Sequence, residues 1–264
     1  GLPGRREASG AENPSGERRL AADEYADELL EERLGRIDGV GAYASEERAD
    51  VLDCGTGLSV TVDPLDGSSN LPANNPVGSI FGFYDAPLPA RGRSLVAAAY
   101  VLYGPVTTVT VAREGTVRTE VVDEGERRPV ATDRTLPEEP TVYGFGGGTD
   151  SWPAPFTDYA ERVAEELKLR YSGALVADVN QVLERGGVFA YPELDSRPEG
   201  KLRHQFEAAP MAYVLETAGG RSSDGRQSLL ERPAEDLHGR TPVHVGSPAY
   251  VKRLEARLGR EVAQ

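Results

Sequence analysis

Residues 60–70 read VTVDPLDGSSN, in which an apolar, β-branched run leads into two aspartates, a proline and a Gly-Ser-Ser turn. The pattern at 58–62 predicts a short buried strand, so Asp63 stands at its carboxyl end, where α/β sheets bind ligands. Pro64 is expected to break the hydrogen-bonded ladder and turn the chain, which brings Asp66 back towards Asp63. Two carboxylates arranged in this way can share a hard cation such as Mg²⁺.

The turn after these aspartates offers groups that suit a phosphate. Gly67, Ser68 and Ser69 present backbone N–H groups and hydroxyls, which can surround a phosphate next to the cation. An ordinary turn is the alternative interpretation, because Asp, Pro and Gly are common in turns of every kind. Taken alone, the segment does not decide between a binding site and a plain turn.

Outside this segment, strand and helix patterns follow one another along the whole chain. Strands are predicted at 58–62, 77–84, 94–103, 106–111, 116–122, 141–145, 187–191 and 242–246. Helices are predicted at 17–37, 156–168, 173–185, 208–218 and 247–258. The polar, proline-containing segment 123–140 is predicted to separate residues 1–130 from residues 140–264. Strands mixed with helices in both halves predict an α/β fold built of packed layers.

The charge balance and the cysteine count narrow the class of protein. Asp and Glu number 43 against 29 Lys and Arg, which gives a net charge of −14. A chain this acidic is not expected to bind nucleic acid, because that binding depends on basic patches that neutralise phosphates. No apolar run approaches the ~20 residues of a membrane span, so no membrane partner is expected. The single cysteine, Cys54, excludes an internal disulfide and fits a reducing cytoplasm.

The basic residues of this acidic chain are almost all arginine. Only Lys168, Lys201 and Lys252 are lysines. Codon bias would explain the shortage of lysine, but it would not explain the excess of acid. A carboxylate-rich surface keeps proteins soluble in concentrated salt. We therefore interpret the composition as adaptation to high salt.

Further carboxylates could join the two aspartates, but spacing alone does not show which of them do. Glu46 and Glu47 lie upstream, and Glu207 lies far downstream. Clustered carboxylates repel by about 3 kcal/mol per pair at 5 Å and an effective dielectric of 20, so a cluster requires divalent cations. By composition alone, Glu46 and Glu47 would be solvated surface like the other acidic pairs. Those pairs are Glu31-Glu32, Glu138-Glu139 and Glu165-Glu166.

Several segments together resemble the fructose-1,6-bisphosphatase family, part of the lithium-sensitive sugar and inositol phosphatase superfamily. They are residues 45–47 (SEE), 63–70 (DPLDGSSN), 78–84 (GSIFGFY), 95–100 (LVAAAY), 170–173 (RYSG), 176–179 (VADV), 186–192 (GGVFAYP), 201–203 (KLR), Glu207 and 210–213 (PMAY). The resemblance runs in order from about Gly16 to Leu258. The DPLDGSS block is typical of the whole superfamily, whereas the segment from Lys201 to Tyr213 is narrower and points to the sugar bisphosphatases.

The resemblance implies a fold, a reaction and an assembly. The fold is a layered α/β/α/β/α sandwich of the sugar phosphatase type, with residues 1–130 as the metal- and phosphate-binding half and residues 140–264 as the sugar-binding half. The reaction is the Mg²⁺-dependent hydrolysis of the 1-phosphate of fructose 1,6-bisphosphate to fructose 6-phosphate and phosphate, in gluconeogenesis, with Mn²⁺ as an alternative cofactor. The assembly is a homo-oligomer, a tetramer or a dimer.

The resemblance also assigns roles to individual residues. Metal ligands are Glu46, Glu47, Asp63, Asp66, Glu207 and the carbonyl of Leu65. The groups that activate the attacking water are Asp23 and Glu47. Substrate contacts are Ser68, beside Gly67 and Ser69, at the reacting phosphate, and Tyr171, Tyr191, Lys201 and Arg170 at the sugar and distal phosphate. Arg170 is expected to reach into the neighbouring subunit's site. Asp178 is interpreted as a hydrogen-bonded structural residue.

Two other functions remain open at this stage. Sedoheptulose-1,7-bisphosphatase or inositol monophosphatase activity would use the same metal-binding motif. Residues 146–149 read GGGT where the family usually carries Asn and Tyr side chains for the distal phosphate, which leaves the preferred sugar open. A catalytically silent protein that binds Mg²⁺ or phosphate is the other alternative. Every expected metal-ligand position is occupied by a suitable residue, which argues against a silent protein.

Overall fold

The computed structural model describes residues 7–14 and 18–259, in which two large sheets alternate with helices. The strands are β1 (Ala8–Glu12), β2 (Arg18–Leu20), β3 (Gly39–Ser45), β4 (Leu52–Asp53), β5 (Gly57–Asp66), β6 (Val77–Tyr84), β7 (Leu95–Tyr103), β8 (Thr107–Arg113), β9 (Thr116–Asp123), β10 (Glu126–Ala131), β11 (Val142–Phe145), β12 (Lys168–Leu169), β13 (Gly187–Tyr191), β14 (Leu202–Arg203), β15 (Arg221–Ser223), β16 (Arg240–Thr241) and β17 (Val243–Gly246). The helices are α1 (Ala21–Leu34), α2 (Ala154–Glu166), α3 (Leu175–Arg185), α4 (Ala209–Thr217) and α5 (Pro248–Leu258).

Each half of the chain contributes one of the two large sheets. The first has eight strands in the order β10-β9-β8-β7-β6-β5-β3-β4, all antiparallel except the parallel pair β3 and β5. The second has five strands in the order β12-β11-β13-β17-β15, with β11 parallel to both of its neighbours. The pairs β1-β2 and β14-β16 form two small separate sheets.

The helices form the other layers of the molecule. Helices α3 and α4 contact strands of both large sheets, so they lie between the sheets. Helix α1 packs on β3 and β5 at the outer face of the first sheet, whereas α2 and α5 cover the outer face of the second. The order of layers is therefore α/β/α/β/α, and the predicted sandwich is confirmed.

The main core lies around the two central helices. Side chains of β6 and β7, α3, α4 and β17 form one continuous apolar cluster between the sheets, including Ile80, Tyr100, Val179, Met211 and Val245. A second cluster under α2 and α5 is aromatic and contains Phe145, Phe156 and Tyr159. Burial of these apolar faces supplies the main driving force for folding.

Several segments differ from the sequence-based prediction, which did not include the short strands β1, β4, β12, β14, β15 and β16. The helix predicted at 17–37 begins only at Ala21, after the short strand β2, and residue 17 lies outside the described residues. The chain then forms β3, which was not predicted as a strand; a Cβ at Gly41 would lie 2.7 Å from the backbone of Gly57 on the neighbouring strand. Part of the polar segment 123–140 forms β10, an exposed edge strand paired with β9.

Among the helices of the described residues, none combines the length and the apolar character that crossing a bilayer requires.

Candidate active site

A bulge in β5 brings the two aspartates of the DPLD segment to one side of the sheet. In the pairing with β6, Asp63 lies opposite Ile80 and Asp66 lies opposite Gly78, so β5 holds one extra residue. Residues three apart in a regular strand point to opposite faces, and the extra residue returns them to the same face. Both aspartates consequently line one cleft. As expected, the ladder with β6 is interrupted at Pro64, because its register shifts between Asp63 and Asp66. The strand β5 itself is longer than the predicted 58–62, since it continues through the bulge to Asp66.

Glu46 and Glu207 join Asp63 in a buried acidic cluster at one end of this cleft. One carboxylate oxygen from each residue lies within 4.8 Å of the other two. Burial, and then the charges of Glu46, Asp66 and Glu207, raise the pKa of Asp63 well above its usual value. A hard divalent cation would remove this repulsion, and a donor set made only of oxygen atoms is the one that such cations prefer. The residues of the cluster therefore fit a metal ion.

Glu207 reaches the cluster because the turn that carries it is attached to β5. Residues His204–Ala208 form a wide helical turn that continues into α4. The Thr61 hydroxyl of β5 donates to the Gln205 carbonyl at 3.0 Å, and the Gln205 side chain makes two hydrogen bonds with the backbone of Ala90. These contacts hold a residue from the second half of the chain against the end of β5.

Arg203 is a buried cation of the cluster that the sequence analysis did not predict as a site residue. Its Nη1 lies 2.8 Å from Glu46 Oε1 and 3.8 Å from Glu207 Oε2. Its backbone N–H donates to Glu207 Oε2 at 2.6 Å. The guanidinium balances part of the negative charge and presents donors that suit a phosphate. The available signal was its position in the Lys-Leu-Arg segment, four residues before Glu207.

Asp66 connects the acidic cluster to the helix between the sheets. Its two carboxylate oxygens accept hydrogen bonds from the backbone N–H groups of Leu175 at 3.2 Å and Val176 at 2.7 Å, at the start of α3. A carboxylate is stabilised there because the helix dipole is positive at its N-terminus. Burial and the Glu207 carboxylate nevertheless raise the pKa of Asp66 to about 7. Asp66 thus has a structural role in addition to any role as a ligand.

The cleft contains nearly all of the predicted site residues and has a volume of about 240 Å³. The predicted residues that line it are Asp23, Glu46, Glu47, Asp63, Leu65, Asp66, Gly67, Ser68, Ser69, Tyr171, Tyr191, Lys201 and Glu207. Arg170 does not line it; its side chain is exposed and donates to the Leu169 carbonyl at 3.0 Å. Asp23 also accepts a hydrogen bond from the Leu20 N–H at 2.7 Å, which stabilises the start of α1.

Two glycines beside the cleft, Gly67 and Gly146, are required by close packing. Gly67 has a φ of +74°, and a Cβ there would lie 2.3 Å from the Cβ of Ala174. A Cβ at Gly146 would lie 2.2 Å from the ring of Tyr191. The glycine-rich segment that departs from the family pattern therefore leaves space for a tyrosine ring. The Lys201 ammonium lies 5.3 Å from the centre of that ring, and Tyr171 lines the same cleft.

Asp178 and Asn70 hold the loop that carries Tyr171. Asp178 Oδ1 accepts a hydrogen bond from the Ser172 N–H at 2.7 Å, which confirms the predicted structural hydrogen bond. The Asn70 amide donates to the carbonyls of Ser172 at 3.0 Å and Pro76 at 2.9 Å. Asp178 also lines the cleft, and burial raises its pKa to about 6. The sequence analysis did not predict that Asp178 reaches the cleft.

Family models and known relatives match this chain over nearly its whole length. The model of the family described as "Fructose-1-6-bisphosphatase, N-terminal domain" matches residues 6–128, and that of its C-terminal domain matches residues 136–259. The chain is 59% identical over 261 residues to the fructose-1,6-bisphosphatase class 1 of Natronomonas pharaonis, which covers 98% of this chain and 92% of the relative. It is 58% identical over 250 residues to a class 1 protein of the same name from Haloarcula marismortui, covering 95% of this chain and 86% of the relative.

Solved structures show the same architecture. The fructose-1,6-bisphosphatase of Leishmania major in its holo form is similar with a TM-score of 0.91 and 28% sequence identity. The similarity covers 97% of this chain and 86% of that chain. The apo form of that protein is similar with a TM-score of 0.84 and 30% identity, over 89% of this chain and 84% of that chain.

Proposed function

This chain belongs to the fructose-1,6-bisphosphatase family, and from that membership we propose that it hydrolyses the 1-phosphate of fructose 1,6-bisphosphate to give fructose 6-phosphate and phosphate. One observation carries the proposal: a single cleft is lined both by a buried acidic cluster and by Lys201 with two tyrosines. A substrate with a phosphate at each end matches this arrangement, because one phosphate needs metal ions and the other needs a cation and hydroxyls.

The proposed cofactor is Mg²⁺, with Mn²⁺ as an alternative. The residues that would hold it are Glu46, Glu47, Asp63, Asp66, Glu207 and the carbonyl of Leu65. When bound, such an ion supplies Lewis acidity at the phosphoryl group. Burial, and after it the neighbouring carboxylates, raise the pKa of Asp63, and a divalent cation would relieve the repulsion among those carboxylates.

Side chains and backbone groups of the protein accept the proton of the attacking water and bind the reacting phosphate. Asp23 and Glu47 line the cleft, and their carboxylates are the proposed acceptors of the proton that leaves the attacking water. The backbone N–H groups and hydroxyls of residues 67–69 bind the reacting phosphate. Arg203, between Glu46 and Glu207, offers further donors to that phosphate.

Phosphate release from a panel of substrates tests the proposed function. We expect fructose 1,6-bisphosphate to give the highest kcat/KM in the presence of Mg²⁺, above sedoheptulose 1,7-bisphosphate and inositol monophosphate. The Glu207→Gln variant, prepared in the same way, controls for contaminating phosphatases. A preference for the sedoheptulose ester would correct the substrate, and release from none of the compounds would favour the silent binding protein.

Lys201 is predicted to bind the distal phosphate. Removal of one charged hydrogen-bond partner costs about 1.5–3 kcal/mol, so Lys201→Ala should raise KM for the bisphosphate by about 10–100-fold. KM for a monophosphate substrate should change much less, because that substrate lacks the distal phosphate. Lys252→Ala, on the outer helix α5, is the matched control and should behave like the wild type. Equal effects on both substrates would show that Lys201 acts elsewhere.

We also propose a homo-oligomer, a tetramer or a dimer, in which Arg170 contributes to the neighbouring subunit's site. The exposure of Arg170 beside the cleft residue Tyr171 supports this proposal. Mixing Arg170→Ala with Asp63→Asn subunits should restore activity, because some hybrid sites then hold native residues at both positions. Activity of the mixture that never exceeds the sum of the separate variants would contradict the shared site.

The last proposals concern the cellular compartment and the metabolic role of the protein. We propose a cytoplasmic enzyme of gluconeogenesis, in which residues 1–130 supply most metal and phosphate contacts and residues 140–264 supply the sugar contacts and Glu207. The presence of a single cysteine supports a reducing compartment. A strain without the gene should grow on a hexose but not on a three-carbon substrate. Normal growth on both would contradict the pathway role.

A further inference from the structure

We propose that Arg48 is a positioning residue, which holds helix α1 and its Asp23 at a fixed position against the turn that carries Glu46 and Glu47. This inference rests on the proposed function, because it concerns the two acids, Asp23 and Glu47, that are assigned to the proton of the attacking water. Arg48 itself is not among the residues that line the cleft. Arg48 therefore affects catalysis only through the positions of Asp23 and Glu47.

The Arg48 side chain binds two acids on one face of α1. Its Nε lies 2.7 Å from Asp27 Oδ2, and its Nη2 lies 2.6 Å from Glu31 Oε2. Asp23, Asp27 and Glu31 are spaced by four residues, so they occupy successive turns of the same face. The first of them lines the cleft, and the next two hold the guanidinium. This double contact restricts both the rotation of the helix and its movement along its axis.

Asp27 makes this contact a buried one. Its side chain is only 3% exposed, and its second oxygen accepts a hydrogen bond from the hydroxyl of Tyr43 at 3.1 Å. Tyr43 lies on β3, so the pair is also attached to the sheet. Concentrated salt screens exposed charges strongly but buried pairs much less, so this contact persists under conditions that weaken surface ion pairs.

The backbone of Arg48 is held from the other side. Its N–H donates to the carbonyl of Ser45 at 3.1 Å, which closes the turn around Glu46 and Glu47. Its carbonyl accepts a hydrogen bond from His238 Nε2 at 2.8 Å. Arg48 therefore connects three separate segments, namely α1, the turn at 45–48 and the loop around residue 238.

Helix α1 combines apolar packing, through Leu30, Leu34, Ala22 and Ala26, with buried polar contacts. Its buried residues are Ala22, Asp23 and Asp27, and two of these are carboxylates. Proton transfer requires a separation of about 2.6–3.2 Å between the heavy atoms. A displacement of ~1 Å in a catalytic group can lower the rate about 100-fold. The polar contacts of Arg48 therefore add to the apolar packing the precision with which the helix carries Asp23.

Three variants test the proposal. Arg48→Met removes both ion pairs, Arg48→Lys keeps the charge but not the double contact, and Arg36→Met is the control. Arg36 lies two residues after the end of the same helix and pairs with Glu32, but both of these side chains are largely exposed. Each variant is assayed for kcat, for KM of the bisphosphate, for the Mg²⁺ concentration at half-maximal rate, and for the Mg²⁺-induced rise in Tm.

We expect Arg48→Met to lower kcat by about 10–100-fold, with KM of the bisphosphate changed less than ~2-fold. The Mg²⁺ concentration at half-maximal rate should rise by ~10-fold, and the Mg²⁺-induced rise in Tm should shrink, because the turn with Glu46 and Glu47 is no longer tied to α1. Arg48→Lys should be intermediate, and Arg36→Met should match the wild type. Arg48→Lys also keeps the test decisive if Arg48→Met does not fold.

A lower Tm with wild-type kcat and wild-type Mg²⁺ dependence would overturn the proposal, because Arg48 would then only stabilise the fold. Failure of the proposed function is a different result. The wild type would then release no phosphate from any sugar bisphosphate. In that case, equal Mg²⁺-induced shifts of Tm in the wild type and both Arg48 variants would still exclude the positioning role, and smaller shifts in the variants would support it.

Discussion

Replacing Asp66 with alanine should lower kcat at least ~10³-fold even at saturating Mg²⁺, in line with the contribution of positioned electrostatic groups in active sites. No neighbouring side chain can take its place, because its two oxygens face both the cleft and the start of α3. The Mg²⁺-induced rise in Tm should also be reduced, because a ligand that binds only the folded state stabilises it in proportion to its affinity.

The structure adds an effect on stability to this prediction. In Asp66→Ala, the backbone N–H groups of Leu175 and Val176 lose their acceptor. A buried donor without a partner costs about 1–3 kcal/mol, and a change of 1 kcal/mol shifts Tm by about 2–4 °C in a protein of this size. Tm should therefore fall by several degrees. Asp66→Asn keeps one acceptor oxygen, so it should lose as much activity but less stability.

The two Asp66 variants together separate the catalytic from the structural role. Asp53→Asn, at an exposed position of β4, is the matched control and should retain the wild-type kcat and Tm. Turnover of Asp66→Asn close to the wild-type value at saturating Mg²⁺ would exclude Asp66 from the metal site. Its contact with α3 would then be its only role.

The second large effect concerns salt: Tm should rise by at least ~10 °C between 0.05 M and 3 M KCl at constant Mg²⁺, which corresponds to about 3–5 kcal/mol. The net charge of −14 causes repulsion across the whole surface in dilute buffer, where the Debye length is ~30 Å at 0.01 M. At 1 M the Debye length is ~3 Å, and only adjacent charges still interact. Assembly should strengthen the effect, because each subunit adds the same charge.

Loss of surface ion pairs in salt should not cancel this gain. Pairs such as Arg36–Glu32 and Arg113–Glu114 are largely exposed, and exposed pairs contribute only about 0–1 kcal/mol each. The buried contact between Arg48 and Asp27 is screened much less. The balance of charges therefore favours the folded state as salt increases.

A charge-reduced variant distinguishes screening from the general salting-out effect on apolar burial. The exposed residues Glu138, Glu139, Glu161 and Glu165, all changed to Gln, lower the surface repulsion without touching the cleft. This variant should show a weaker dependence of Tm on KCl than the wild type. A midpoint that stays flat or falls with salt in the wild type would show that the acidic composition is not an adaptation to salt.

Local patterns predicted most of the secondary structure. The predicted strands at 77–84, 94–103 and 187–191 and the helix at 247–258 agree with the structure to within about one residue at each end. Their patterns are decisive because one side of each element faces an apolar core. The errors occurred where that signal is weak, in the glycine-rich strand β3 and in the exposed edge strand β10, where all positions but one are exposed.

The candidate site was predicted largely through recognisable motifs. The two site residues that the prediction missed were missed for one reason. Arg203 and the cleft-facing position of Asp178 were missed because both residues are explained locally, as a solvated cation and as a polar residue on an apolar helix. Only the contact of Arg203 with Glu46 reveals a buried ion pair. Only the position of α3 above the DPLD segment brings Asp178 to the cleft.

The amino-acid sequence alone was sufficient for the fold class, for the DPLDGSS turn and for the acidic composition, because these depend on neighbouring residues and on total charge. Composition and spacing could not show which acidic pair belongs to the site, and Glu46 and Glu47 were assigned only through the family resemblance. Glu46-Glu47 looks the same as Glu138-Glu139 in composition, yet only the former meets Asp63 and Glu207. That meeting depends on a bulge in β5 and on a turn held by Thr61 and Gln205. These contacts join residues far apart in the chain, so they form only when the two sheets pack around the same helices.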